Sequence, residues 1–182
     1  MDLVRAVADL GESTDLHLAR ILILLDAFSS ENAGGMIEGL TKLAKLDFLL
    51  RYPVLLERAL QAKGRSSRAV ALEDYERYSV ESQMVRYRFG PWDHRYHSLL
   101  NILVARGLVT VSIEGRKVMV AATGLGRESA KRLAADSQFE KYVARAKLLK
   151  THFDLKGSSL MRFIYDTFPE VVSLRSNTPI SV

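Results

Sequence analysis

"DHRYHSLLNILVARGLVTVSIEGRKVMVAATGLGRESAKRLA", Asp93 to Ala134, carries the clearest structural signal in the chain. Tyr96, Leu99, Leu100 and Leu103 fall at i, i+3, i+4 and i+7, the spacing that lines one face of a helix. Asp93 is placed to cap that helix and Gly107 to stop it. A wheel at about 100° per residue turns Val104 inward with the stripe. It leaves His94, Ser98, Asn101 and Ala105 outward, with His97 at the edge. Two β-rich runs follow, Leu108–Ile113 and Lys117–Ala122. They flank the turn "EGRK", the pattern of a hairpin. "TGLGRESAKRLA" then opens another helix, with Thr123 or Gly124 near its cap.

Upstream, "LHLARILILLDAF", Leu16 to Phe28, reads as a deeply buried helix with Ser13, Thr14 and Asp15 as possible caps. Its unbroken apolar run, Ile21–Leu25, is far shorter than the roughly 20 residues of a membrane span. A second helix is expected from Met36 to Tyr52, with Met36, Leu40, Leu43, Leu46 and Leu50 on its stripe. Asp47 falls near that stripe, and Arg51, four residues on, is its expected ion-pair partner. Pro53 suits the first turn of a third helix ending near Lys63. The polar, basic tract "KGRSSRA", Lys63 to Ala69, then reads as a loop, one that could dock a partner or be plain surface.

A short acidic helix is expected around Leu72 to Ser79. Val85, Tyr87 and Phe89 alternate with Arg86 and Arg88, which suggests an extended segment before the Gly90-Pro91 turn, where Trp92 would anchor in the core. Helices at about Gln138–Phe153 and Ser158–Phe168 precede a tail without a core-forming pattern.

Helix, hairpin and helix in this order are those of a winged-helix domain. The expected fold class is therefore mainly α with a small β-hairpin (α+β). A winged-helix part, residues 70–135, holds a recognition-like helix (93–106) and a wing (108–122). An amino-terminal helical part (1–63), carboxy-terminal helices (136–170) and a tail (171–182) flank it. A helical domain with an incidental hairpin is the alternative.

The chain has no cysteine among its 182 residues, which excludes disulfides and thiolate metal sites and suggests a reducing compartment. A cytoplasmic protein with no membrane contact is expected. Charge is uneven along the chain. Residues 1–62 carry six Lys/Arg against nine Asp/Glu, whereas residues 86–132 carry nine against three. A basic middle can meet phosphate or an acidic protein. The candidate phosphate contacts are Arg116 and Lys117 at the wing tip and Arg127, Lys131 and Arg132 on the next helix. The exposed face of the recognition-like helix has hydrogen-bonding groups but no central cation, and Asp93 at its start repels phosphate. Its His94, His97, Ser98 and Asn101 are instead candidate contacts for a protein partner.

His94 and His97 share a helix face, but zinc needs three or four ligands. No cysteine or pair of carboxylates lies nearby to complete such a set, and His17 and His152 are far away in sequence. There is no phosphate-binding GxxxxGK[ST] loop and no GxSxG elbow. "GLGRES" is a turn entering a helix. The expectation is no enzyme, no metal and no cofactor.

"LARILILLDAF", "LTKLAKLDFLLRYPVLLERAL", "VESQMVRYRFGPWDHRYHSLLNILVARGLV" and "GRKVMVAATGLGRESAKRLA" together span roughly residues 16–135. This set resembles the small middle components of bacterial three-component ABC-ATPase systems, with the Lamassu-type defence systems as the nearest case. The resemblance implies a non-catalytic accessory subunit. It would bind an SMC-like coiled-coil ATPase, and an effector nuclease, in defence against phage or plasmid DNA. It transfers no catalytic residue. A stand-alone winged-helix transcription regulator, dimeric and sequence-specific, is the alternative function, and any DNA contact of an adaptor would be non-specific.

Overall fold

The computed structural model describes residues 14–29, 35–78, 84–85, 95–169 and 179–180. Within them the decisive stretch folds as helix, hairpin and helix. Helix α1 spans Thr14–Phe28, strand β1 Ile37–Glu38, α2 Leu40–Arg51, α3 Pro53–Ala62 and α4 Asp74–Tyr78. Strand β2 is Met84–Val85, α5 Tyr96–Ala105, β3 Val109–Glu114 and β4 Lys117–Ala122. Then come α6 Gly124–Ala134, α7 Glu140–Phe153, α8 Gly157–Thr167 and β5 Pro179–Ile180. The described residues are thus mainly helical with a small antiparallel sheet.

Helix α1 is the hub. It packs against α2, α5, α6, α7 and β4, which is why almost every face of it is apolar. Ile21, Leu24 and Leu25 are fully enclosed. Helix α2 adds Leu43, Leu46, Leu49 and Leu50, and α5 adds Leu99, Leu100 and Leu103. Leu149 and Phe153 of α7, with Leu160 and Ile164 of α8, close the other side. At about 25 cal/mol per Å² of apolar surface removed from water, such enclosure is the main drive to fold.

Local chemistry sets the boundaries. Gly107, at φ 68, ends α5 in a Schellman turn. Its N–H bonds the carbonyl of Val104 at 2.9 Å, and the N–H of Leu108 bonds that of Leu103 at 2.9 Å. Gly115, at φ 63, takes the first central position of the two-residue hairpin turn, where a side chain is disfavoured. The register runs from Val109 opposite Ala122 to Glu114 opposite Lys117. Thr123 caps α6, its Oγ1 accepting from the Gly126 N–H at 3.0 Å.

Three readings from the sequence change. Residues 36–38 are not helical: Ile37–Glu38 pairs with Val120 and Met119, adding a third strand to the hairpin in the order β1-β4-β3. Gly39, at φ 90, turns the chain from that strand into α2, so Met36 leaves the apolar stripe and is 41% exposed. Val104 does not face inward but is 42% exposed, because it lies about 90° around the helix from the centre of the buried stripe. The tail does take part in the fold: Pro179 and Ile180 pair antiparallel with Val85 and Met84. The expected Gly90-Pro91 turn, the Trp92 anchor, the Asp93 cap and His94 lie outside the described residues, and α5 is described from Tyr96.

Candidate functional site

Two regions of the described residues gather chemistry-bearing side chains. One is the surface of α5, the hairpin and α6; the other is buried beneath α5.

On the surface, His97, Ser98 and Asn101 are exposed on one face of α5, and Val104 stands beside them. The candidate phosphate contacts have different surroundings. Arg116 is exposed at the hairpin turn. Lys117 bonds Glu38 of β1 at 2.9 Å. Arg127 donates Nη1 to the carbonyl of Ala122 at 3.2 Å. Arg127 and Lys131 also lie close enough to Asp26 of α1 to act on it electrostatically. Burial raises the Asp26 carboxyl pKa, and these two cations draw it back. Arg132 turns towards a groove of about 400 Å³ between α1, α5 and α6, whose rim also carries Asp15, Asp136 and Arg106. Leu18, Leu22, Leu103 and Leu133 line the same groove. Most of these cations thus have an acid nearby.

Beneath α5, Arg20 of α1 is buried to 2% exposure. Its Nε donates to Asp47 Oδ1 at 2.5 Å and its Nη2 to Asp47 Oδ2 at 3.0 Å, a two-pronged pair between α1 and α2. The hydroxyl of Tyr96, the first residue of α5, donates to Asp47 Oδ2. Three helices that are distant in sequence thus meet on one carboxylate. Arg51, the partner expected from spacing, also acts on Asp47 electrostatically, but the two-pronged pair is made by Arg20. The long-range pair gives a buried carboxylate two aligned donors, which a residue four positions along the same helix does not match.

The protonation states follow from this geometry. Burial opposes the charge on Asp47, but Arg20 outweighs it and holds the carboxyl below its ordinary range. Burial and the adjacent Asp47 push the Tyr96 phenol well above its ordinary value. His17 lies one turn before Arg20, whose Nη2 donates to its Nδ1 at 3.0 Å. An accepting Nδ1 requires a neutral ring protonated at Nε2. Burial first, and Arg20 second, lower the His17 pKa to about 4. Its buried Nε2 finds no hydrogen-bond partner among the described residues.

Several other titratable groups are also tied into the fold. Arg145 of α7 grips Glu76 of α4 through two bonds, at 2.7 and 2.8 Å, and its Nε donates to the Val70 carbonyl at 3.0 Å. That clamp pins the carboxy-terminal end of the tract expected to be a docking loop. Lys63 pins the other end, donating to the His152 carbonyl at 2.5 Å. Lys45 is buried with its Nζ 5.7 Å from the Tyr165 ring centroid, and desolvation lowers its pKa to about 8. Among the described residues no three His, Asp or Glu side chains are grouped to hold a metal ion. None of their helices is long and apolar enough to cross a membrane.

The sequence reading missed Arg20 with Tyr96 as partners of Asp47. The available signal was position: Arg20 and Asp47 each fall within an apolar stripe, where an unpaired charge is not tolerated. What the buried cluster can do chemically is lock α1, α2 and α5 together. Comparison of the chain with protein-family models, with curated proteins and with solved structures finds no match.

Proposed function

We propose that the chain is a non-catalytic accessory subunit that binds a protein partner through the exposed face of α5. The proposed partner is an SMC-like coiled-coil ATPase in a three-component system acting against phage or plasmid DNA, with any nuclease chemistry carried by another chain. The ATPase is suggested by the sequence resemblance. The observation that carries a protein partner is the make-up of the surface. His97, Ser98, Asn101 and exposed Val104 offer hydrogen bonds and apolar contact without a cation. The neighbouring Lys117 is bonded to Glu38, and Arg127 and Lys131 act electrostatically on Asp26. Duplex DNA favours the opposite arrangement, unspent cations facing phosphate. A helix, a hairpin and a second helix, with β1 completing a three-stranded sheet, support reading this part as a winged helix used for protein contact.

This reading expects a gene for an SMC-like ATPase beside this one, and the test is co-expression with that ATPase, followed by affinity capture. The wild-type chain retains the ATPase, and Val104→Asp loses it while keeping its far-ultraviolet circular dichroism. Failure of the wild type to retain the ATPase, together with salt-sensitive and sequence-dependent binding of duplex DNA, would establish the transcription-regulator reading instead.

A further inference from the structure

Strand β3 lies at the edge of the three-stranded sheet, with β4 in the centre. Which of its backbone groups face outward follows from two hydrogen bonds. The Gly39 N–H donates to the Val118 carbonyl at 2.7 Å, so Val118 faces β1 and the residue opposite it, Ile113, does not bond β4. The Thr123 N–H donates to the Leu108 carbonyl at 3.0 Å, so Leu108 faces the β4 side. Alternation along the strand then commits the backbones of Thr110, Ser112 and Glu114 to β4. It presents the N–H and C=O of Val109, Val111 and Ile113 to the open edge. Among the described residues no other backbone group bonds these three.

This edge lacks the features by which proteins protect exposed strands. It has no lysine, no proline and no bulge, and the β3–β4 register is continuous. Its sequence, "VTVSI", favours extended structure. The side chains add to this. Val109, Val120 and Ala122 form the buried part of the sheet's inner face, and the same face continues past the core to Val111 at 43% and Ile113 at 76% exposure.

We propose that two copies of this chain pair through β3, antiparallel and centred on Val111, to form one continuous six-stranded sheet. The strand is its own complement in that register. Val111 meets the second copy's Val111, and Val109 meets its Ile113, so all three outward-facing residues are hydrogen-bonded at once. Thr110 meets Ser112, and Glu114 meets Leu108 beside the second copy's Arg106. No like charges are opposed along the strand. Centring on Ser112 instead would use only Val111 and Ile113 and run Val109 against the hairpin turn. The two exposed apolar side chains would also gain partners on the shared face.

The absence of cysteine makes the register directly testable. In the proposed pairing the two Val111 Cα atoms are about 5.5 Å apart, within disulfide reach. The two Ile113 positions are about 13 Å apart, at four strand residues of separation. Val111→Cys is expected to cross-link into a covalent dimer under mild oxidation, and Ile113→Cys is not. Light scattering of the purified wild-type chain, from micromolar to millimolar concentration, is expected to show a reversible dimer. Ile113→Pro removes an outward N–H without touching the β3–β4 ladder. It should raise the dimer Kd by at least about tenfold, since the bond is lost at two symmetric positions. A circular dichroism spectrum and melting curve check that this variant folds. The proposal is overturned by a wild-type chain that stays monomeric throughout, by a dimer indifferent to Ile113→Pro, or by equal cross-linking at both positions. A monomer that loses ATPase capture on Ile113→Pro would assign the edge to a partner's strand. The α5 reading is tested separately, by Val104→Asp.

Discussion

The junction beneath α5 and the hairpin in front of it use the same residue types in opposite ways. In the junction, Arg20 and Asp47 are taken wholly out of water and bonded to each other twice, with Tyr96 closing the set. On the hairpin, Lys117 meets Glu38 while both stay about half exposed. A buried pair recovers its desolvation cost only when the geometry is good, and breaking it leaves a bare charge inside the protein. An exposed pair costs little to break, because water replaces the partner. Charge in the junction therefore specifies how three helices meet, and charge on the hairpin adds little to the fold.

Arg20→Met breaks this contrast most strongly. It strands Asp47 among leucines and should cost about 3–5 kcal/mol of stability in urea unfolding. Replacing both partners, Arg20→Met with Asp47→Leu, should recover much of that loss, because the pair is then exchanged for apolar packing. A single substitution costing under about 1 kcal/mol would mean that the junction does not hold the helices together.

The second effect is on pH. The folded-state pKa of His17 is lowered from 6.5 to about 4, with burial as the main cause. Between those values the unfolded chain binds a proton that the folded chain does not, so stability falls as pH drops from about 6.5 to 4 and that contribution then levels off. The loss should reach about 2 kcal/mol, allowing for some solvent screening. Asp47 and Glu76 are shifted in the same direction as His17 and likewise lose stabilisation as pH falls, but over a lower range. Their stabilisation is present above the ordinary carboxylate range and is lost only below it, so it does not mask the His17 slope. His17→Asn keeps an acceptor for Arg20 and removes the titration. Chemical unfolding at a series of pH values should show the slope between 4 and 6.5 flatten.

The attachment of the hairpin to the core gives a third, smaller effect. A Cβ built on Gly126 would lie 2.0 Å from the Leu108 carbonyl oxygen, a backbone atom with little freedom to move. Gly126→Ala should therefore push α6 away from the base of β3 and cost about 1–3 kcal/mol, read from the thermal midpoint. A neutral result would show that the hairpin's base is looser than the junction.

The same two regions differ in how much of them could be read from sequence. The hairpin was legible because its signals are local: alternating β-branched residues, a glycine where the turn needs one, and a threonine at the next cap. The register and the helix after it follow from those residues alone. The junction was not legible, because its bonds join residues 27 and 49 positions apart. Local spacing favoured Arg51 for Asp47, and only the packing of α1 on α2 brings Arg20 to it. Strand β1 was missed for a related reason. Ile37 fits a helical stripe as well as a strand, and its partner on β4 lies 83 positions later. The candidate cations were individually visible, but their acids, Glu38 and Asp26, come from other elements. The sequence therefore showed the cations without the acids that act on them.

Lys117→Ala provides the smallest effect and the sharpest test of the contrast. The Lys117–Glu38 bond, at 2.9 Å, links β4 to β1 across the sheet, so geometry alone would make it a structural tie. Both side chains are about half exposed, however. Screening and the entropy of two long side chains should reduce its net value to within about 0.5 kcal/mol. The backbone pairing of Ile37 with Val120, buried on both sides, keeps β1 in place without it. Urea unfolding of Lys117→Ala should therefore overlay that of the wild type at moderate salt. A loss comparable to that of Arg20→Met would show that hairpin charges also hold the fold, and would remove the reason for assigning them to the surface.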